Sequence, residues 1–248
     1  MTSLRAALGG MVRGARLYAL LLGLGLGSLA WNLVALGLLL VLPRAAGRAL
    51  GRAAISHGYA AFWAVAQGVG MMRIDMRGLS ALRHERGGLI IAANHPSMLD
   101  ALLVVACVPR GVCIMKASLM HNVFLGAGAR LARYIRNDSP RGMVGGAVQS
   151  LLEGGHLVVF PEGTRTVRQP VNAFLPGVTL IAQRAQVPIQ TVLIETDSPY
   201  LGKGWPIWRT PPARVTFKLR LGQRFAAQED HAQLLRTMQA YFTEELTP

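Results

Sequence analysis

His95 and Asp100 are the two residues of this sequence whose types and spacing most directly suggest chemistry. They lie in the stretch NHPSMLD, residues 94–100. A histidine titrates near neutral pH, and a carboxylate about one helical turn away can orient its ring. The pair therefore suits a general base. Because no nucleophile is built into the motif, we expect the attacking group to come from a substrate.

The chain around each candidate site must place it at the end of a strand. The apolar run at 88–93 reads as a buried strand, and Pro96 and Ser97 open a helical pattern, so His95 lies between the two elements. A second motif, FPEGTR at 160–165, follows the apolar run 157–159 in the same way.

The second motif has the residue types of an anion site. Gly163 allows close backbone approach, and the planar guanidinium of Arg165 suits a phosphate. Glu162 can accept hydrogen bonds from hydroxyls or orient Arg165. Taken alone, the same letters also fit a solvated turn closed by a Glu–Arg pair.

Composition indicates a membrane-associated protein. Hydrophobic residues make up 52% of the 248 residues and charged residues 15%, with a formal net charge of +14. A basic excess fits nucleic acid or an anionic membrane, and the apolar excess favours the membrane. Without a basic run interleaved with aromatics, no nucleic-acid partner is expected. Cys107 and Cys113 fit no zinc spacing, so we expect reduced thiols and no metal.

The N-terminal part, residues 1–74, is expected to be a membrane-associated helical region. Residues 17–43 carry no charge and, if helical, reach about 40 Å, against a hydrocarbon core of about 30 Å. A tilted span and a hairpin within one leaflet both fit. Arg44, Arg48 and Arg52 recur every four residues and share a helical face. This face suggests an amphipathic helix on an anionic membrane, or else the solvent face of a packed helix.

Residues 75–248 are expected to form an α/β domain. Strand and helix patterns alternate, which predicts a largely parallel central sheet flanked by helices, with the active site at the carboxyl ends of the strands. The predicted strands are 88–93, 111–115, 133–136, 156–160, 187–194 and 214–221. The predicted helices are 97–107, 117–132, 141–153, 177–185 and 229–245. A Pro/Gly-rich loop at 198–206 is expected to touch lipid through Trp205 and Trp208.

The two motifs, in this order and about 65 residues apart, resemble those of the glycerophospholipid acyltransferase family. The bacterial 1-acylglycerol-3-phosphate acyltransferases are the most similar type. The resemblance implies transfer of an acyl group from acyl-CoA or acyl-carrier protein to the hydroxyl of a lysophospholipid, without a cofactor. The expected acceptor is 1-acyl-sn-glycerol 3-phosphate and the product phosphatidic acid. It also implies attachment to the bacterial inner membrane, with the catalytic domain facing the cytoplasm.

The resemblance assigns roles to named positions. It makes His95 the base and Asp100 its orienting partner. It makes the second motif the acceptor-binding segment, with Arg165 on the phosphate, and it places Lys116 and Arg136 near that phosphate. The residues expected to bind substrate are Glu162, Gly163, Thr164, Arg165, Lys116 and Arg136.

Two departures from the family pattern leave the acceptor open. The intermediate block usually reads like Phe-Ile-Asp-Arg, whereas here residues 134–138 read YIRND, which displaces the arginine to Arg136. The family often has a lysine before the glycine that follows the second motif, and here Pro176 precedes Gly177. Glycerol 3-phosphate, a lyso-aminolipid and a specialised polyene lipid are alternative acceptors. A non-catalytic membrane- or carrier-binding relative is the alternative outside enzymes.

Overall fold

A seven-stranded sheet with helices on both faces forms the centre of the molecule. The computed structural model describes residues 2–247, with side chains from residue 9 onward. The strands are β1 (Met72–Asp75), β2 (Leu89–Ala93), β3 (Gly111–Lys116), β4 (Ile135–Asn137), β5 (His156–Val159), β6 (Ile189–Thr196) and β7 (Val215–Phe225). The helices are α1 (Thr2–Val41), α2 (Arg44–Gly68), α3 (Asp100–Ala106), α4 (Gly126–Leu131), α5 (Pro140–Leu152), α6 (Gly177–Ala185) and α7 (His231–Leu246), with 3₁₀ helices at Arg77–Arg83 and Ala117–His121.

The sheet is largely parallel, as the sequence predicts. Its strand order is β1-β7-β6-β2-β5-β3-β4, and β6 and β7 form the antiparallel pair. β2 and β5 are direct neighbours, paired from Leu89 with His156 to Ala92 with Val159. The segments that follow these two strands therefore leave the sheet side by side, at the edge where parallel α/β sheets place their sites.

The core lies on both faces of this sheet. The central strand β2 is accordingly buried along its whole length. Successive side chains of a strand point to opposite faces. Accordingly, Ile91 and Ala93 join the cluster that contains residues of α1, α2 and α3, whereas Ile90 and Ala92 join the cluster formed with α5, α6 and α7. An uninterrupted apolar strand is what such double burial requires.

The uncharged N-terminal segment is one continuous helix with no reversal of direction. Within α1, residues Gly9–Val41 are long and apolar enough to cross a membrane by length and composition. At about 1.5 Å per residue this stretch is about 50 Å long. Most of its large apolar side chains are exposed, among them Leu22, Leu33 and Leu40.

The basic face of α2 is turned partly into the protein, so the prediction that it meets a membrane is wrong for Arg52. Arg48 pairs with Glu153 of α5. Arg52 is buried, donates to the Ala132 carbonyl and the Ser150 hydroxyl at 3.0 Å each, and has its pKa lowered to about 10, first by burial and then by Arg48. Arg44, one turn earlier, is exposed.

Three predicted elements differ from the structure in ways that have a local cause. α3 begins at Asp100 rather than residue 97, because Ser97–Leu99 form a turn. The predicted helix 117–132 is split into a 3₁₀ helix and α4, since the Asn122 side chain accepts from the Phe124 N–H and closes a turn. β4 starts two residues late because Arg133 takes a left-handed φ of 58°.

β1 was not predicted, and the expected domain boundary at residues 74/75 falls inside it. Four residues pair with β7 from Met72 with Val215 to Asp75 with Lys218. α2, immediately before, packs against α3, and Trp63 of α2 is fully buried. The C-terminal half of the 1–74 segment is thus built into the α/β domain.

Helices α2 and α4 touch at Gly51. A Cβ built there would lie 2.8 Å from the backbone nitrogen of Ala132. Backbone atoms cannot rotate away as a side chain can, so this contact requires glycine. Gly58, two turns later on the same helix, faces open space.

Gly51→Ala should therefore lower the free energy of unfolding by about 1–3 kcal/mol, the usual range for overpacking. Gly58→Ala should raise it by about 0.5–1 kcal/mol, because alanine costs less backbone entropy in a helix. Denaturant unfolding of both variants in one detergent tests the contact. Effects of equal sign and size would contradict it.

Candidate active site

His95 lies at the carboxyl end of β2, where the strand is fixed to its neighbour. The buried Asn94 side chain donates to the Ile194 carbonyl and accepts from the Ile194 N–H, both at 2.8 Å. These two hydrogen bonds to β6 fix the position of the residue directly before His95. Asn94 is the first residue of the motif, and its partner, 100 residues later, is not visible in the sequence pattern.

The hydrogen bond expected between His95 and Asp100 is present. His95 Nδ1 lies 3.1 Å from Asp100 Oδ2, and the same oxygen accepts from the Ser97 N–H at 2.7 Å. With Nδ1–H donating to the carboxylate, Nε2 carries the lone pair. No hydrogen bond reaches Nε2 from any of the described residues. The ring is 19% exposed and stacks on Phe160, with centroids 4.2 Å apart.

Asp100 is fully buried, and its environment favours the neutral acid. Burial raises its pKa to about 6, against the lowering effects of the His95 and Ser97 hydrogen bonds, and the charge of Glu162 raises it further. Its second oxygen, Oδ1, is buried and has no hydrogen-bond partner among the described residues. A carboxylate with half of its acceptor capacity unused is more easily protonated.

Glu162 points into the protein and joins the two motifs. It is 4% exposed. Its Oε1 accepts from the His95 N–H and the Thr166 hydroxyl, and its Oε2 accepts from the Asn172 N–H, all at 2.8 Å. Both oxygens of this carboxylate are thus engaged by protein donors, one of which is the backbone of His95.

The chain after Glu162 folds back onto the first motif. The Thr166 N–H donates to the His95 carbonyl at 2.7 Å, and the Asn172 side chain closes the intervening loop on the Arg165 carbonyl. Gly163 has a φ of 66°, and a Cβ there would collide with Leu175. The turn itself therefore requires glycine at position 163. Gly163 and Thr164 are exposed. Sequence reasoning missed Thr166 and Asn172, whose partners lie beyond the motif.

Arg165 is partly buried and is held by a different loop. Its Nη1 donates to the carbonyls of Leu201 and Gly202 at 2.9 Å each. It forms no hydrogen bond or ion pair with Glu162, so the Glu–Arg pair considered from the sequence is not present. One edge of the guanidinium is fixed in this way.

Lys116 and Arg136 lie at the same sheet edge but farther along it. Lys116 is the last residue of β3, and Arg136 is the last but one of β4. Counted from β2, these are the second and third strands along the sheet. At about 4.8 Å per strand, these positions are roughly 10 Å and 14 Å from the end of β2. Lys116 is exposed. Arg136 pairs with Asp138, which is two residues away.

An apolar cavity of about 590 Å³ lies between α1, α2 and the segment from β3 to β4. Gly23 and Gly27 of α1, Phe62 of α2, and Met115 and Tyr134 are among its lining residues. Small residues on α1 open this space, because larger side chains would fill it. Within residues 2–247, no group of three or more acidic, histidine or cysteine side chains is arranged to hold a metal.

The fold and site together define a class of protein. The acyltransferase family model matches residues 73–195, about half of the chain and the part that contains both motifs. The chain belongs to the acyltransferase family.

Curated relatives and a solved structure agree with this membership. The chain is 29% identical over 144 residues to the 1-acyl-sn-glycerol-3-phosphate acyltransferase of Limnanthes alba, covering 54% of this chain and 50% of that protein. It is 28% identical over 138 residues to the protein of that name from Cocos nucifera, covering 52% and 44%. The chain spans about half the length of the curated relatives it matches. The crystal structure of the 1-acyl-sn-glycerophosphate acyltransferase PlsC from Thermotoga maritima shares the fold, with a TM-score of 0.72 at 19% identity over 99% of this chain and 96% of that one.

Glu162→Gln should lower the free energy of unfolding by about 1–3 kcal/mol, because the amide NH₂ must face an N–H donor and leave it unsatisfied. The variant should also lose activity through His95. Glu244→Gln, on the exposed face of α7, is the matched control and should change neither property. A Glu162→Gln protein as stable as the parent would show that the carboxylate does not hold the motifs together.

Proposed function

We propose that this chain is a membrane-associated O-acyltransferase. It moves a fatty acyl group from acyl-CoA or acyl-carrier protein to the free hydroxyl of 1-acyl-sn-glycerol 3-phosphate, giving phosphatidic acid. The observation that carries the proposal is the His95–Asp100 hydrogen bond, which leaves Nε2 as the proton acceptor at a partly exposed strand end. The names of the curated relatives give the same activity.

In the proposed reaction the acceptor hydroxyl is the nucleophile. Asp100 keeps the proton of His95 on Nδ1, and Nε2 takes the hydroxyl proton as the oxygen attacks the thioester carbonyl. The tetrahedral intermediate collapses with loss of the thiolate, and the imidazolium returns its proton to that sulfur. The products are the ester and the free thiol. Each proton and bond is accounted for by substrate and His95, so the scheme uses no metal.

The surroundings of the pair suit a phosphate-bearing lipid. Arg165 lies in the segment that folds over His95, and Lys116 adds a cation at the same sheet edge. The apolar cavity under α1 and α2 offers space to an acyl chain. α1 supports membrane attachment through its exposed apolar side chains. The free thiols of Cys107 and Cys113 suit a catalytic domain in the reducing cytoplasm of a bacterial cell.

One observation favours a second acceptor class. The charge of Arg136 is offset by Asp138, so the phosphate contact that the resemblance expects from this block is weakened. Acceptors without that phosphate, such as a lyso-aminolipid, therefore belong in the same test. Glycerol 3-phosphate belongs there too, because it has the phosphate but no acyl chain.

A transfer assay with the full chain tests the proposal. Labelled acyl-CoA and acyl-carrier protein are each offered with a panel of lysolipids in vesicles. Transfer to 1-acyl-sn-glycerol 3-phosphate is the expected result.

His95→Ala should lower the rate by about 10²–10⁴-fold, the usual value of general-base assistance. His57→Ala is the matched control, since His57 is exposed and bonds only within α2. Near-normal turnover of the His95→Ala protein would exclude the mechanism.

Asp100 predicts an acid limit on the rate. Below a pH of about 6 the raised pKa leaves its carboxyl protonated, and a neutral acid holds the His95 tautomer less firmly. The rate should fall as pH drops through about 6.

The free energy of unfolding should instead rise as pH drops over the same range. Because the pKa of the folded state lies above the ordinary value of 3.8, the folded state binds more protons between these values, and stability declines as pH rises from about 4 to 6.

Asp100→Asn should remove this pH dependence of stability and should also be slow at every pH, since the amide favours the wrong tautomer. The rate profile and the unfolding free energy are measured on the same two proteins between pH 4 and 8. A stability profile identical in both proteins would contradict the raised pKa.

A further inference from the structure

The loop between β6 and β7 carries an exposed apolar tip. Ile207 and Trp208 are 42% and 66% exposed. Trp205, in contrast, is turned inward. Its ring packs edge-on against Tyr200 with centroids 5.8 Å apart, and its Nε1 donates to the Arg209 carbonyl at 2.9 Å. Trp205 thus holds the loop together while Trp208 faces outward.

Beyond its first residue, Asp197, which accepts from the Thr216 N–H at 2.8 Å, the loop carries charge of one sign. Residues 198–214 contain Lys203, Arg209 and Arg214 and no acidic residue. All three cations are exposed, and the Arg209 guanidinium lies over the Trp205 ring at 4.8 Å. Exposed tryptophan beside lysine and arginine is the combination that binds the headgroup region of an anionic bilayer.

Contacts with helix α1 fix the position of the tip along the axis of that helix. The Tyr18 hydroxyl donates to the Trp208 carbonyl at 3.3 Å, and a Cβ at Gly14 would lie 4.0 Å from the Thr210 hydroxyl. The tip therefore lies where the basic segment with Arg16 gives way to the uncharged run that begins at Leu17. Tryptophan and tyrosine are enriched at this boundary in membrane proteins.

The other side of the same loop is bonded to the candidate active site. The Ser97 hydroxyl donates to the Tyr200 carbonyl at 3.0 Å, and the Leu201 carbonyl accepts from both the Met98 N–H and Arg165 Nη1. Leu201 is buried and has a φ of 57°. This left-handed conformation is unfavourable for a leucine, whose Cβ crowds the following carbonyl oxygen. Such strain persists where neighbours fix the geometry, and it occurs often at functional sites.

We propose that Ile207 and Trp208 insert into the headgroup region of an anionic bilayer. This contact, together with α1, fixes the face of the molecule that meets the membrane. Through Leu201 and Gly202 it holds Arg165 at the level of the lipid headgroups. The bilayer contact goes beyond the proposed function and is independent of it, whereas the positioning of Arg165 rests on that function.

A label at the tip tests the contact without any activity. Trp208→Cys is modified with an environment-sensitive thiol probe, and Glu244→Cys on α7 is the control on the opposite face. The Tyr18 hydroxyl donates to the backbone carbonyl of Trp208, so the substitution keeps that hydrogen bond. The unmutated chain corrects for labelling of the native cysteines. Each protein is reconstituted in vesicles of phosphatidylglycerol and phosphatidylcholine, with and without brominated acyl chains.

Emission from position 208 should shift to the blue and be quenched by the bromines, more strongly with phosphatidylglycerol than in phosphatidylcholine alone. Emission from position 244 should not change. A label at 208 that behaves like the one at 244 would overturn the proposal.

A kinetic comparison tests the positioning. Trp208→Ser should raise the apparent KM for a vesicle-embedded lysolipid by about fivefold or more and leave kcat unchanged, because the bilayer contact is weakened. Transfer to a water-soluble short-chain acceptor should not change. Leu152→Ser is the matched control, since Leu152 is also 66% exposed but lies on α5. Equal losses with both acceptors, or none with either, would contradict the positioning role. If the parent chain transfers to neither acceptor, the proposed function fails while the label still decides the bilayer contact.

Discussion

The buried carboxylate of Glu162 is the interaction on which the rest of the site depends. It lies on the segment after β5, yet it accepts from the backbone of His95, which follows β2. Its other bonds, to Thr166 and Asn172, close the loop that covers His95. A charge removed from water is tolerated only when its oxygens are well hydrogen-bonded. The conformation of the second motif therefore fixes the position of the first.

Asp100 is buried as deeply but is bonded differently, and this difference separates the roles of the two carboxylates. Three donors meet Glu162, whereas Asp100 meets two at one oxygen and leaves the other without a described partner. The incompletely bonded group has the raised pKa, and the negative charge of Glu162 contributes to it. One carboxylate thus holds the backbone, and the other is able to take up a proton near pH 6 beside the imidazole.

The sequence predicts those features that depend on local pattern. The apolar runs predict six of the seven strands, and strand-end placement brings the two motifs together because parallel neighbours end at one edge. What it missed depends on partners distant in the chain. β1 is four residues long and is stabilised by pairing with β7. Arg52 appears on a basic helical face, but its partners lie about 80 and 98 residues later. The burial of Glu162 has the same cause, since Asn172 and the His95 backbone are invisible in the motif.

Arg165 shows how the site and the expected membrane surface become one structural unit. Its guanidinium has one nitrogen fixed by Leu201 and Gly202, so the arginine depends on the same loop that packs on Tyr18 of α1. A lipid acceptor keeps its polar end near the headgroup level, because burying that end in hydrocarbon is costly. A base that serves such an acceptor must lie near that level too. The hydrogen bonds from Ser97 and Met98 to the loop fix the distance between His95 and the loop tip, so the depth of the tip in a bilayer would set the depth of the base.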